Sequence, residues 1–173
     1  MRVQVVEHDP TWKAAYQIEA ARIAVLLGDL VVSMHHIGST AIPEIFAKPI
    51  IDILLEVRDT LRLDRKTAAL EALGYEAKGE FGIPGRRYFR KNDAEGVRTH
   101  QVHAFAEGSI NIERHLAFRD YMVAHPEAAR AYGALKRRLA DEHPHDIEAY
   151  IDGKDAYVKE QERNALVWWS SRG

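Results

Sequence analysis

The chain has 173 residues, with 24 Lys+Arg against 26 Asp+Glu, a formal net charge of −2 and no cysteine. A chain this long suits one domain and buries about 70% of its unfolded surface, so it needs no disulfide or structural metal to fold. The missing cysteines exclude a disulfide framework, a thiolate zinc site and thiol catalysis. A pI near 6.5 argues against a broad nucleic-acid surface and leaves room only for a local phosphate site.

Met1–Pro10 carries Glu7, His8 and Asp9 where a signal peptide needs an apolar core. Apolar runs such as Ile23–Leu27 are far short of the ~20 residues that span a bilayer. No membrane association and a cytoplasmic location are therefore the default expectations. Asp9-Pro10 predicts a helix start, and Trp12, Tyr16, Ile23 and Leu27 mark one face of a helix that stops at Gly28. Leu30–Ile37 and Ile50–Val57 read as buried strands, with a helix over Leu61–Leu73 ending at Gly74. Arg86–Lys91 and Arg98–Phe105 are two more strands, joined by the polar turn Asn92–Gly96.

The second half reads as helical. Ser109 or Asn111 caps a helix whose Ile112, Leu116 and Val123 share a face, and His125-Pro126 breaks it. Ala128, Ala131, Tyr132, Leu135 and Leu139 form the apolar row of the next helix, which leaves Lys136-Arg137-Arg138 as a solvated face. A last helix runs from about Asp146 to Trp169. Its row Ile147, Ile151 and Val158 includes Lys154, which either snorkels or reaches into a cleft. Trp168-Trp169 caps the core or makes a dimer contact. Strands first and helices later predict an α+β fold with a mixed sheet flanked by helices, as one domain over 1–173 with the sheet ending near 107 and helices over about 109–170.

Chemistry concentrates in His36–Glu56. A strand runs into Gly38-Ser39-Thr40, where a glycine permits close approach and the N–H groups of a following helical turn favour anions. Asp52 lies in an otherwise apolar strand, where an unpaired carboxylate is costly. A metal ion or a cationic partner relieves that cost.

The blocks HIGSTAIP, AKPIIDI, RTHQVHAF, EGS and HLAFRDYMVAHPEAARAYGALKRRLA, with the spaced pair Tyr150/Lys154, fall in the order of a known family. From about His36 to Lys154 the chain resembles the GrpB family, which is classed with the nucleotidyltransferase fold. Relatives of that family also occur joined to dephospho-coenzyme A kinase. The resemblance implies a minimal nucleotidyltransferase architecture and a nucleotide or related phosphate ligand, with Mg²⁺ as cofactor. It implies phosphate contacts from Gly38, Ser39 and Thr40, a metal ligand at Asp52, and charge balance from Lys48, Arg87 and Lys154. His103 is implied as a ligand or base, and His36 is a further candidate near the same cleft.

This sequence departs from the pattern at two places. Nucleotidyltransferases hold Mg²⁺ with two carboxylates two residues apart, and here Leu54 stands two residues after Asp52. Glu56 shares a strand face with Asp52, but four residues at ~3.3 Å each set it ~13 Å away. Relatives read His-x-His where this chain reads Gln101-Val102-His103. The bland readings stand beside the functional ones. Gly38-Ser39 is a plain turn, Asp52 pairs structurally with Lys48, Arg87 or Lys154, and His103 is a packing histidine. A non-catalytic ligand-binding module is the alternative to transfer chemistry.

Overall fold

The computed structural model describes residues 2–172, which group into two compact units. One unit takes Thr11–Ile37 and Ile50–Ile112; the other takes the chain up to Pro10, Gly38–Pro49 and everything from Glu113 on.

The first unit is a five-stranded mixed sheet with helices. Its strands are β1 (Val31–Ile37), β2 (Ile51–Val57), β3 (Tyr75–Ala77), β4 (Arg87–Asn92) and β5 (Arg98–Ala106), and its helices are α1 (Trp12–Leu27), α2 (Thr60–Asp64) and α3 (Thr67–Ala72). The strand order is β1-β2-β5-β4-β3, with β2 and β5 parallel and every other pair antiparallel. Ile51, Ile53, Leu55 and Val57 of β2 are buried on one face, as a period of two requires, and Val102 and Ala104 of β5 are buried in register beside them. Helix α1 packs on β1 and β2, contributing the buried Ile23 and Leu27.

Three local readings need correction. Helix α1 starts at Trp12 after Thr11, not at Asp9-Pro10, because Thr11 already has helical dihedrals and its carbonyl accepts from the Ala15 amide. The single helix expected over Leu61–Leu73 is two: Asp59 caps α2 by accepting from the Leu61 amide, and the Thr67 hydroxyl takes the Asp64 carbonyl at 2.7 Å, competing with a continuous ladder. The short strand β3 was not anticipated. It follows Gly74, whose φ of +99° favours glycine and where a Cβ would meet the Lys91 side chain at 3.0 Å.

The second unit is mainly helical, with α5 (Pro126–Glu142), α6 (Ile147–Ser171) and most of α4 (Ile110–Ala124). Ser109, of the two residues considered, accepts from the Asn111 amide at the start of α4. Pro126 opens α5, and Asp146 caps α6 by accepting from the Ala149 amide. Ile42, Ile45, Met122, Ala129 and Tyr132 form one core cluster; Val3, Leu139, Ala140 and Tyr150 form another.

The expected helix faces shift by a residue or two. Met122 is buried while Val123 is exposed, and Ile147 and Ile151 lie at the surface while Tyr150 is fully buried. Lys136 is buried, not solvated, with its ammonium 4.4 Å from the ring centroid of Tyr132 one turn earlier. Arg119 pairs with Asp120 at 2.8 Å, and Trp168 stands edge-on to Tyr121 and His125 of its own unit. Among the described residues no helix is long and apolar enough to cross a membrane.

Candidate functional site

Register decides which side chains meet on the sheet. Asp52 is opposite Gln101 and Leu54 is opposite His103, so His103 lies one pleat further along the face that carries Asp52. Tyr88 of β4 is opposite His103, which brings the even positions of β4 to the same face. There His103 Nε2 and Asp52 Oδ1 are 3.0 Å apart, with the two side chains 13% and 22% exposed. The other ring nitrogen, Nδ1, is 3.3 Å from an Arg86 guanidinium nitrogen.

Arg86 is itself held firmly. It is buried, donates to the carbonyls of Phe81 (2.8 Å) and Glu80 (3.1 Å), and lies 4.9 Å over the Tyr88 ring. Burial pushes the Tyr88 phenol above its ordinary value, helped by the Asp52 charge and opposed by the nearby arginines. The carboxylate partner of Asp52 is thus a histidine, and Arg86 stands behind that histidine. Sequence reasoning took Arg86-Arg87 together as cations suited to phosphate contact and carried only Arg87 forward; the structure aims Arg86 at His103.

Arg87 points to the opposite face. Its guanidinium forks onto the Asp64 carboxylate at 2.7 and 3.2 Å, and that bond, ahead of opposing desolvation, raises its pKa. His36 also lies on the opposite face from Asp52, stacked on Tyr16 of α1 at 4.9 Å. Glu56 is engaged where it stands, accepting from Ser33 Oγ at 2.8 Å and from the Gly108 amide at 3.2 Å. Leu54, at the position of the second carboxylate, is fully buried.

The remaining predicted residues belong to the other unit. The chain leaves β1 at Ile37, the register partner of Asp52, and the next residue is Gly38. Gly38 has φ of +74°, a backbone conformation side chains disfavour, and Ser39–Ala41 form a single 3₁₀ turn. Lys48 and Lys154 both approach Tyr150, with their ammonium groups 5.3 and 5.8 Å from its ring centroid. Burial raises the Tyr150 phenol, whose hydroxyl has no hydrogen-bond partner among the described residues.

The donor set can be tested against a metal. Among the described residues no three His, Asp or Glu side chains converge to hold an ion. A pair of protein-held metals does not fit one carboxylate flanked by a leucine. The free oxygen of Asp52 fits a single Mg²⁺ that arrives with most of its ligands supplied by phosphates and water.

A second polar cluster escaped the sequence reading entirely. Glu19 of α1 is buried, accepts from the Tyr75 hydroxyl at 2.7 Å and pairs with Lys91, with His100 3.9 Å away. Tyr75, Lys91 and His100 are successive register partners across β3, β4 and β5, three residues or an odd step from Tyr88 and His103, so this cluster is on the α1 face. A signal existed: Glu19 falls within the apolar row Trp12, Tyr16, Ile23, Leu27.

Comparison with known proteins adds the family. The model described as GrpB protein matches residues 2–164. UPF0157 protein YqkA of Bacillus subtilis is 44% identical over 171 residues, covering 99% of this chain and 49% of that protein, so the chain spans about half of that relative. A dephospho-CoA kinase of Mycolicibacterium paratuberculosis is 29% identical, over 48% of its length. The crystal structure of conserved protein GrpB from Enterococcus faecalis superposes with a TM-score of 0.91 at 41% identity, covering 96% of this chain and 99% of that one. The Cid1 poly(U) polymerase bound to MgGTP superposes with a TM-score of 0.53 at 12% identity, covering 79% of this chain and 44% of that one. That likeness shows a nucleotidyltransferase-like fold.

Proposed function

We propose, from the fact that this chain belongs to the GrpB family, that it binds a nucleotide or a related phosphate compound, with Asp52 as the residue on which binding depends. The observation that carries the proposal is the partly exposed Asp52–His103 pair on a nucleotidyltransferase-like sheet. A carboxylate that keeps one oxygen for a cation suits a ligand whose phosphates bring Mg²⁺ with them. In this reading Gly38, Ser39, Thr40, Lys48 and Lys154 contact phosphate, and the family motifs support those assignments. Bound Mg²⁺ would neutralise phosphate charge, and Asp52 would hold and orient the ion. Arg87 would need to leave Asp64 to take part.

A non-catalytic module is the second reading, favoured by the full burial of Leu54 where a transferase places its second carboxylate. Calorimetric titration with nucleoside triphosphates, with and without Mg²⁺, tests both. Mg²⁺-dependent binding weakened at least about tenfold by Asp52→Asn, or ~1.4 kcal/mol, supports the first. Binding indifferent to Mg²⁺ and to that substitution supports the second, and no binding by either protein sinks both.

A further inference from the structure

We infer that Arg86 holds His103 in one neutral tautomer, with the ring proton on Nε2 and donated to Asp52, so that His103 is a positioning residue and Asp52 alone offers a free acceptor to a ligand. This deepens the proposed binding role of Asp52.

The chemistry of the guanidinium drives the assignment. Arginine is always charged and carries only donors. At 3.3 Å from Arg86, His103 Nδ1 must present its lone pair, because a proton there would face another N–H. A neutral imidazole has one proton, which then resides on Nε2, and at 3.0 Å from Asp52 Oδ1 it donates to the carboxylate. The reverse tautomer is wrong at both ends. It sets N–H against N–H at Arg86 and a lone pair against the carboxylate at Asp52.

Arg86 has little freedom to yield. Two backbone carbonyls, of Glu80 and Phe81, and the Tyr88 ring fix its plane, and the side chain is buried. Tyr88 also packs against His103, ring centroids 5.5 Å apart, which limits rotation of the imidazole. Both nitrogens of His103 are therefore committed. It has no lone pair to give a metal and none to take a proton from a bound hydroxyl. Those tasks pass to Asp52, whose second oxygen favours a group bearing positive charge or a hydrogen-bond donor. A phosphate reaches it through its counter-cation.

The test is a long-range ¹H–¹⁵N correlation spectrum of the ¹⁵N-labelled full chain, ligand-free and at one neutral pH, with His103 assigned by its loss in His103→Gln. The expected wild-type pattern has Nε2 protonated and Nδ1 bare. Arg86→Met alone leaves the Asp52 carboxylate, which accepts only and favours the same tautomer, so it keeps the wild-type pattern. Asp52→Asn, whose amide can flip to donate or accept, leaves Arg86 as the sole director of the ring, and it also keeps the pattern. The double variant Arg86→Met/Asp52→Asn shifts towards an average of the two tautomers, and Asp52→Asn alone covers the case in which the double variant fails to fold. A bare Nε2 in the wild type, a tautomer switch in Asp52→Asn, or an unchanged pattern in the folded double variant overturns the inference. None of these readouts uses a nucleotide, so failure of the ligand titrations leaves the tautomer assignment standing.

Discussion

The two faces of one sheet carry two polar clusters built from similar parts, and they are arranged for opposite ends. On the α1 face, Glu19 is 2% exposed, with Tyr75, Lys91 and, at 3.9 Å, His100 at its Oε2 and Arg22 3.5 Å from its Oε1. On the other face, Asp52 is 22% exposed and spends one oxygen on His103. A closed cluster buries charge and must satisfy it completely, since a lone buried ion is very costly. A half-open cluster forgoes that stability and keeps capacity for a ligand. On the binding role proposed for Asp52, one sheet would separate a structural carboxylate from a ligand-binding one.

Five substitutions probe this contrast. The largest expected effect comes from trying to build a second carboxylate beside the first. Leu54→Asp places an unpaired charge at a fully buried position and is expected to cost more than Leu54→Ala, itself ~2–5 kcal/mol. Urea unfolding of both proteins checks this, and a well-folded Leu54→Asp would show that the face tolerates a paired-carboxylate site. Next is Glu19→Ala, which strands the buried Tyr75 hydroxyl and the partly buried Lys91 ammonium. A loss of about 3–5 kcal/mol is expected, measured the same way.

The closed cluster also has a pH signature. Burial opposes ionisation of Glu19, but hydrogen bonds from Lys91 and Tyr75 outweigh it and hold its pKa below the ordinary value. Burial likewise lowers His100, against the pull of Glu19. Both groups bind protons more readily when unfolded, so stability is full above their ordinary values and falls as pH drops through the depressed native ones. Acid unfolding should begin below about 6.5, the ordinary histidine value, and steepen below 4.5, the ordinary glutamate value. Glu19→Gln should flatten the lower part, and an unchanged acid limb would refute the assignment. The smallest effect belongs to the open cluster. Asp52→Asn should change stability by less than about 1 kcal/mol, because the amide oxygen still accepts from His103 and the group is partly solvated. A large loss there would mean that Asp52 is structural after all.

Much of the architecture was legible in local patterns. The β-branched run of β2, the polar turn between β4 and β5, and Pro126 at the head of α5 each act over a few residues, and each is found where expected. Helix faces were read less well. Lys136 looked solvated because the packing was assigned to Leu135 and Leu139, yet it is buried and its ammonium stays beside an aromatic ring.

The candidate site divided along the same line. The sequence by itself determined the family, the lone Asp52 in an apolar strand and the missing carboxylate at Leu54, because these follow from residue identity alone. Only the tertiary structure decided that His103 is the partner of Asp52, that Arg86 and not Arg87 stands behind it, and that Glu19 anchors a separate cluster. Those outcomes depend on how β2, β5 and β4 align with one another. Strand register is set by long-range packing, and a shift of one residue would have sent every one of these side chains to the other face.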